Sequence, residues 1–158
     1  MSAMMLMTAC GFDPEEAREE SEVSLQSFLD EYEHNDTIVE SDEEEDVIEG
    51  VEESLGQYFT TSFSDDVSDG ISNATENRDD GTFEFRHEDA TFFLRDSVDN
   101  VVDYYGMDID DFLEVNEEQE NVYFSLETDE DNSRNTTQVH VEMSMEDEEW
   151  KINEVNAQ

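Results

Sequence analysis

Positive charge is what this chain lacks. Its 158 residues hold one lysine, Lys151, and the arginines Arg18, Arg78, Arg86, Arg95 and Arg134, against 48 Asp and Glu, for a formal net charge of −42. Binding a nucleic-acid backbone or an anionic lipid surface requires clustered cations, so both are excluded as direct partners. A single cysteine, Cys10, excludes a disulfide within the chain and any multi-cysteine zinc site. A single proline, Pro14, excludes a proline-rich linker. No run of residues approaches the ~20 apolar side chains of a membrane-spanning helix.

The shortage of lysine beside so many carboxylates is the balance of a protein that works in molar salt. A merely acidic protein usually keeps its lysines. Unscreened, the shell repels itself and opposes compaction, so counter-cations are its first implied partners. High charge with low mean hydropathy borders on the composition of disordered chains. The aromatics, 10% of the residues, nevertheless cluster with aliphatics in periodic patches, which predicts one folded domain at high ionic strength.

The first eleven residues, Met1-Ser-Ala-Met-Met-Leu-Met-Thr-Ala-Cys10-Gly11, carry no charge. An apolar run closing on small residues and Cys-Gly resembles the end of a bacterial or archaeal lipoprotein signal. Thr8 and Ala9 suit the two positions before the cut, and Met7 replaces the more usual Leu at the third. The resemblance implies cleavage before Cys10, a lipid on Cys10 and a membrane-anchored, extracytoplasmic location. A complete signal needs about 15–30 residues with a basic start. Met1 is therefore expected to lie inside a longer apolar segment. Residues 1–10 then form a signal remnant, 11–22 an acidic tether, and 23–158 a single domain. A cytoplasmic protein with an incidental thiol is the alternative.

Residues 14–34 read as a helix. Asp13 is its cap, Pro14 its first position, and Val23, Leu25, Phe28, Leu29 and Tyr32 its apolar stripe. The acidic run 40–46 predicts the start of a second helix carrying Val47, Ile48, Val51, Leu55, Tyr58, Phe59 and Phe63. Residues 64–82, rich in Ser, Asp, Asn and Gly, read as loop, with a turn at Asp80-Gly81 before a strand from Thr82 to Arg86. A third helix is expected from Asp89 to Tyr105, then a helical turn holding Ile109, Phe112 and Leu113. From Val122 the period changes to two. Val122, Phe124 and Leu126, then Val139, Val141, Met143 and Met145, then Trp150, Ile152 and Val155 predict antiparallel strands, with 146–149 as the last hairpin loop. Helices followed by a meander predict an α+β fold, its N-terminal helices packed on a curved, cone-like antiparallel sheet.

The closing segment, Gln138-Val-His-Val-Glu-Met-Ser-Met145, a polar turn, then Glu149-Trp-Lys-Ile152, resembles the terminal hairpin of the cone-shaped domains related to nuclear transport factor two. Small secreted lipoproteins often carry such a domain. The specific likeness covers about the last twenty residues, and the order of elements is loosely similar. It implies an apolar pocket between helices and sheet, which by position Tyr58, Phe59, Phe63, Tyr105, Phe124 and Trp150 would line. Simple core packing is the plainer role of the same aromatics.

No chemistry stands out. Catalysis by a carboxylate needs a raised pKa in an apolar pocket, and nearly all of these read as solvated. His34, His87 and His140 lie far apart. Asp129, Asp131 and Ser133 imitate half a calcium loop, but Arg134 stands where Gly belongs and His140 where the closing Glu belongs. No phosphate-binding loop, dinucleotide fingerprint or nucleophile elbow is present. The sequence therefore predicts no enzyme, no catalytic residue, no metal and no cofactor. The expected function is that of a lipid-anchored extracytoplasmic domain of a halophilic microbe, binding a small ligand or a partner protein. The rival is an acidic DNA mimic, a viral inhibitor that occupies the basic groove of a nucleic-acid-binding protein.

Overall fold

The computed structural model describes residues 11–34, 37–87, 107–128 and 139–157. These form an α+β arrangement of three helices and two antiparallel sheets. Helix α1 spans Pro14–Glu33. The Asp13 carboxylate accepts from the backbone N–H groups of Glu15, at 3.0 Å, and Glu16, at 3.3 Å, while Pro14 occupies a first-turn position that needs no donor. Ala17, Ser21, Leu25, Phe28, Leu29 and Tyr32 make the buried face. Val23, expected on that stripe, is 66% exposed. It lies two residues from Leu25, about 200° around the helix, and so points the opposite way. Cys10 lies outside the described residues, and residues 14–22 of the stretch read as tether form the first half of α1.

Strand β1 (Ile38–Ser41) leads into helix α2 (Glu44–Leu55). The Ser41 hydroxyl accepts from the Glu43 N–H at 3.2 Å and donates to Asp46 at 3.1 Å, which tightens the entry to α2. At Gly50 the helix passes so close to β1 that an added Cβ would lie 2.8 Å from a Val39 methyl. Helix α2 stops well before Phe63. Two single 3₁₀ turns follow, Gly56–Tyr58 and Thr61–Phe63, so the predicted long second helix is broken at Gly56. Glycine disfavours helix continuation, and the chain turns to pair with the sheet instead. Phe59 bridges to Ile152, and the Thr60 N–H donates to the Ile152 carbonyl at 2.9 Å.

Residues 64–74, read from composition as loop, form helix α3 (Ser64–Ala74). Val67, Gly70 and Ile71, spaced three and four apart, are buried, and that burial outweighs the weak helix propensity of the Ser, Asp and Asn around them. Strands β2 (Glu76–Asn77) and β3 (Phe83–Arg86) follow, joined through a turn in which Gly81 takes φ +90°. The small sheet has the order β1-β3-β2, with Val39 opposite Phe85 and Glu40 opposite Glu84. The expected helix Asp89–Tyr105 lies outside the described residues.

The large sheet is a meander, β4-β5-β6-β7, of Met107–Asn116, Asn121–Thr128, Val139–Glu146 and Glu149–Ala157. Helix α1 packs against β4, β5 and β7. The helical turn expected at Ile109, Phe112 and Leu113 is strand β4. Its ladder skips Asp110 and then Leu113. Each extra residue shifts the alternation by one, so Ile109, Phe112 and Val115 all pack on the core at three-residue steps and imitate a helical period. A third bulge, at Asn153 of β7, moves Val155 rather than Glu154 onto the buried side after Trp150 and Ile152. Val122, Phe124, Leu126, Val139, Val141 and Met143 are buried as the alternation predicts. Met145, in phase with them and opposite Trp150 near the end of β6, is 49% exposed. The turn residues Asp147 and Glu148 take φ 55° and 67°, the mirror-image backbone that two-residue hairpins require.

Candidate functional site

The core between α1, the 56–63 connector and the large sheet collects the aromatics that sequence position assigned to a pocket. Phe59, Phe63, Phe124 and Trp150 are buried in the main core, and Tyr58 is half-buried against it. Tyr105 lies outside the described residues. Phe28 of α1 is the hub. Its ring centroid is 5.3 Å from those of both Tyr58 and Phe59, each edge-on, and 6.0 Å from Tyr32. Phe59 continues to Phe63 at 5.9 Å. Phe124 meets Phe112 at 6.0 Å, and Trp150 meets Phe12 at 6.4 Å. Tyr58, Phe59 and Phe63 thus share one aromatic cluster with α1, while Phe124 and Trp150 sit on separate strands with different ring neighbours.

Polar side chains gather on the connector and the large sheet. The Tyr123 phenol donates to Glu142 at 2.7 Å, and the Asn153 amide donates to the other Glu142 oxygen. The Asn153 carbonyl oxygen in turn accepts from Thr60, at 2.8 Å, and Ser62, at 3.0 Å. The hydrogen bond to Glu142 and partial burial push the Tyr123 phenol above its ordinary pKa. Tyr58 donates to Glu31, and burial first, then that carboxylate, pushes its pKa up to about 12. Neither tyrosine is a base at neutral pH.

On the small sheet, Arg78 and Arg86 both donate to the buried Glu84. The Arg86 hydrogen bond first, and Arg78 with it, hold the Glu84 carboxyl below the usual range. Asp80 is also lowered, chiefly by the Thr82 hydroxyl and N–H. A general acid needs the opposite displacement. His87 is fully buried at the end of β3, between the rings of Phe85, at 5.0 Å, and Tyr32, at 5.8 Å. Its Nδ1 bonds the Thr37 carbonyl at 3.0 Å, which makes Nδ1 the protonated nitrogen of the neutral ring, and Nε2 has no hydrogen-bond partner among the described residues. Burial keeps the imidazole neutral by lowering its pKa.

Two open grooves mark the surface of the described residues. One, of about 640 Å³, runs beside the Arg78–Glu84–Arg86 cluster and is rimmed by Glu76, Asp79 and Asp80. The other, of about 460 Å³, lies between α1 and β4. Neither is lined by the aromatics named from sequence. Among the described residues no group of three His, Cys, Asp or Glu side chains converges as metal ligands would, and no helix is long and apolar enough to cross a membrane.

Comparison with known proteins leaves the fold to stand by itself: no family model matches the chain, and neither the curated proteins nor the solved structures include a match.

The sequence reading missed the clustered Arg78, Glu84 and Arg86. The signal was present. In Phe83-Glu-Phe-Arg86, alternation puts both phenylalanines on one face and Glu84 with Arg86 on the other. The Tyr123–Glu142–Asn153 chain was not legible, because the bulge at Asn153 decides which β7 side chain reaches Glu142.

Proposed function

We propose that this chain is a non-enzymatic, salt-adapted binding domain, tethered outside the cell membrane through a lipid on Cys10, that recognises a ligand or partner protein. The observation that carries the salt-adapted part is how its carboxylates are satisfied. Three ion pairs join described residues, and two of them share Glu84. Several carboxylates are instead held between elements by hydroxyls. Ser68 donates to Glu52 and Ser72 to Glu44, joining α3 to α2. Tyr58 donates to Glu31, and Thr61 to Glu146 at 3.0 Å, joining the connector to α1 and β6. Molar salt screens an exposed ion pair, whereas a hydroxyl donor brings no charge to be screened. The downward pKa displacements of Asp80 and Glu84 make these two carboxylates poor general acids.

In this reading the large sheet curls into the cone of the domains related to nuclear transport factor two, with the aromatics from Tyr58 to Trp150 facing its interior. Bulges at Asp110, Leu113 and Asn153, in both edge strands, support that curl, since bulges bend the strand that carries them.

Two measurements test the proposal. The melting temperature, followed by circular dichroism, should climb steeply as salt rises from about 0.05 M to about 2 M, because the screening length falls below the spacing of neighbouring charges. Equal stability at both ends overturns the salt-adapted reading. Mass spectrometry of the N-terminal peptide from the native host should find Cys10 acylated, with a Cys10→Ser variant as control. An unmodified peptide beginning at Met1 in the soluble fraction removes the tether and favours the DNA mimic. For that rival, α1 supplies an exposed row of Glu15, Glu16, Glu19, Glu20 and Glu22.

A further inference from the structure

The groove between α1 and β4 combines apolar side chains, carboxylates and a stacked guanidinium. Its apolar lining is Val23, 66% exposed on the outer side of α1, with the half-buried Ile109 and Phe112 of β4. Its rim is acidic: Glu22, Asp110 and Asp111. The groove already holds one guanidinium. The Arg18 head lies over the Phe112 ring, 4.2 Å from its centroid, and makes no ion pair with a described residue despite the carboxylates around it. In a molecule with so few cations, this one is spent on an aromatic face, the arrangement by which a ring quadrupole holds a cation.

The adjoining backbone restricts how an occupant enters. Strand β4 is the edge of the large sheet, but its bulges fall at Asp110 and Leu113, beside the groove. Bulges and acidic side chains interrupt the regular row of donors and acceptors that an added strand needs. An occupant must enter by its side chains. The apolar side chains suit an aliphatic group, the rim a positive charge, and the ring a flat cation that stacks. Arginine is the side chain that stacks and pairs with carboxylates through one head group.

We propose that the α1–β4 groove docks an arginine-bearing apolar segment of a basic partner protein, whose guanidinium takes the Phe112 face now covered by Arg18. The proposal rests on reading the domain as a binding one, and it names the site and the chemistry of the partner.

The test uses the full chain in about 2 M salt, where attraction to the acidic shell is screened within about 3 Å and short-range contacts remain. The probe is a fluorescent peptide alternating arginine with leucine, compared with a copy in which uncharged citrulline replaces arginine. Anisotropy should show binding of the first and not the second. Val23→Asn and Phe112→Leu should each weaken it about fivefold, while Arg18→Ala should tighten it by a similar factor. Glu53→Gln and Asp69→Asn, exposed and away from the groove, should leave it unchanged. Val23 is exposed, so its variant reports on the groove even if Phe112→Leu loosens the sheet. Weakening by the remote variants as large as by the groove variants means diffuse attraction and overturns the proposal. So does an Arg18→Ala variant that binds more weakly. Binding indifferent to the groove variants sinks the groove while leaving a binding domain in place. Failure of the wild type to bind the peptide sinks the proposal alone, since the salt and lipid measurements judge the broader reading independently.

Discussion

Trp150→Ala should unfold the domain at moderate salt, while Lys151→Ala should lower its melting temperature only slightly. Trp150 is 6% exposed on β7, packs against Phe12, and lies opposite Met145 in the hairpin. Truncating a buried aromatic to alanine costs about 3–5 kcal/mol. Folded domains carry only about 5–15 kcal/mol in total, and self-repulsion at a net charge of −42 pushes this one toward the lower end. Lys151 faces the other side of the strand, opposite Ser144, with its ammonium 3.9 Å from Glu146. A loose pair of that kind is worth about 1 kcal/mol or less, to which its packed aliphatic stem adds a little. The Trp150 indole N–H is buried without an acceptor among the described residues, so Trp150→Phe gives up no hydrogen bond to them and should retain most of the stability. Thermal and urea denaturation followed by circular dichroism rank the three variants. A Trp150→Ala protein that melts normally but loses a partner makes Trp150 a contact residue and removes it as the anchor of the hairpin.

Phe28→Ala should be as damaging, by a different route. Phe28 is fully buried on α1 and touches Tyr58 and Phe59, which belong to the connector rather than the sheet. Phe59 in turn bridges to Ile152 of β7. The ring therefore ties helix, connector and sheet together, and its loss, about 3–5 kcal/mol, leaves a cavity bordered by three elements. The distinguishing expectation is in the hydroxyl contacts. With Phe28 gone, Tyr58 loses its edge-on neighbour, and the Tyr58–Glu31 hydrogen bond should loosen with it. Its phenol pKa should then fall from about 12 toward 10, read by ultraviolet titration in high salt. A variant with normal stability, or with an unmoved phenol, contradicts the role given to Phe28.

What the residues settled by themselves was whatever depends on neighbours close in sequence. The Asp13–Pro14 start of α1, the Asp80-Gly81 turn, the β3 strand and the 146–149 hairpin follow from local caps, from backbone preference and from an unbroken alternation. The α+β class and the burial of Trp150 followed from the change of period after Val122. Tertiary structure decided the rest, wherever packing overrode local preference. Helix α3 exists because Val67 and Ile71 find a core to enter, although its own residues favour loop. The Tyr58–Phe63 segment left the helical stripe because Phe59 gains a strand partner ninety-three positions away, at Ile152. Strand β4 looked helical because two bulges spread its core contacts to three-residue spacing, and a bulge is a property of the pairing between strands. The same cause hid the groove. Only the packing of α1 on β4 turns Val23 outward, sets Arg18 over Phe112, and places carboxylates from two distant segments around them.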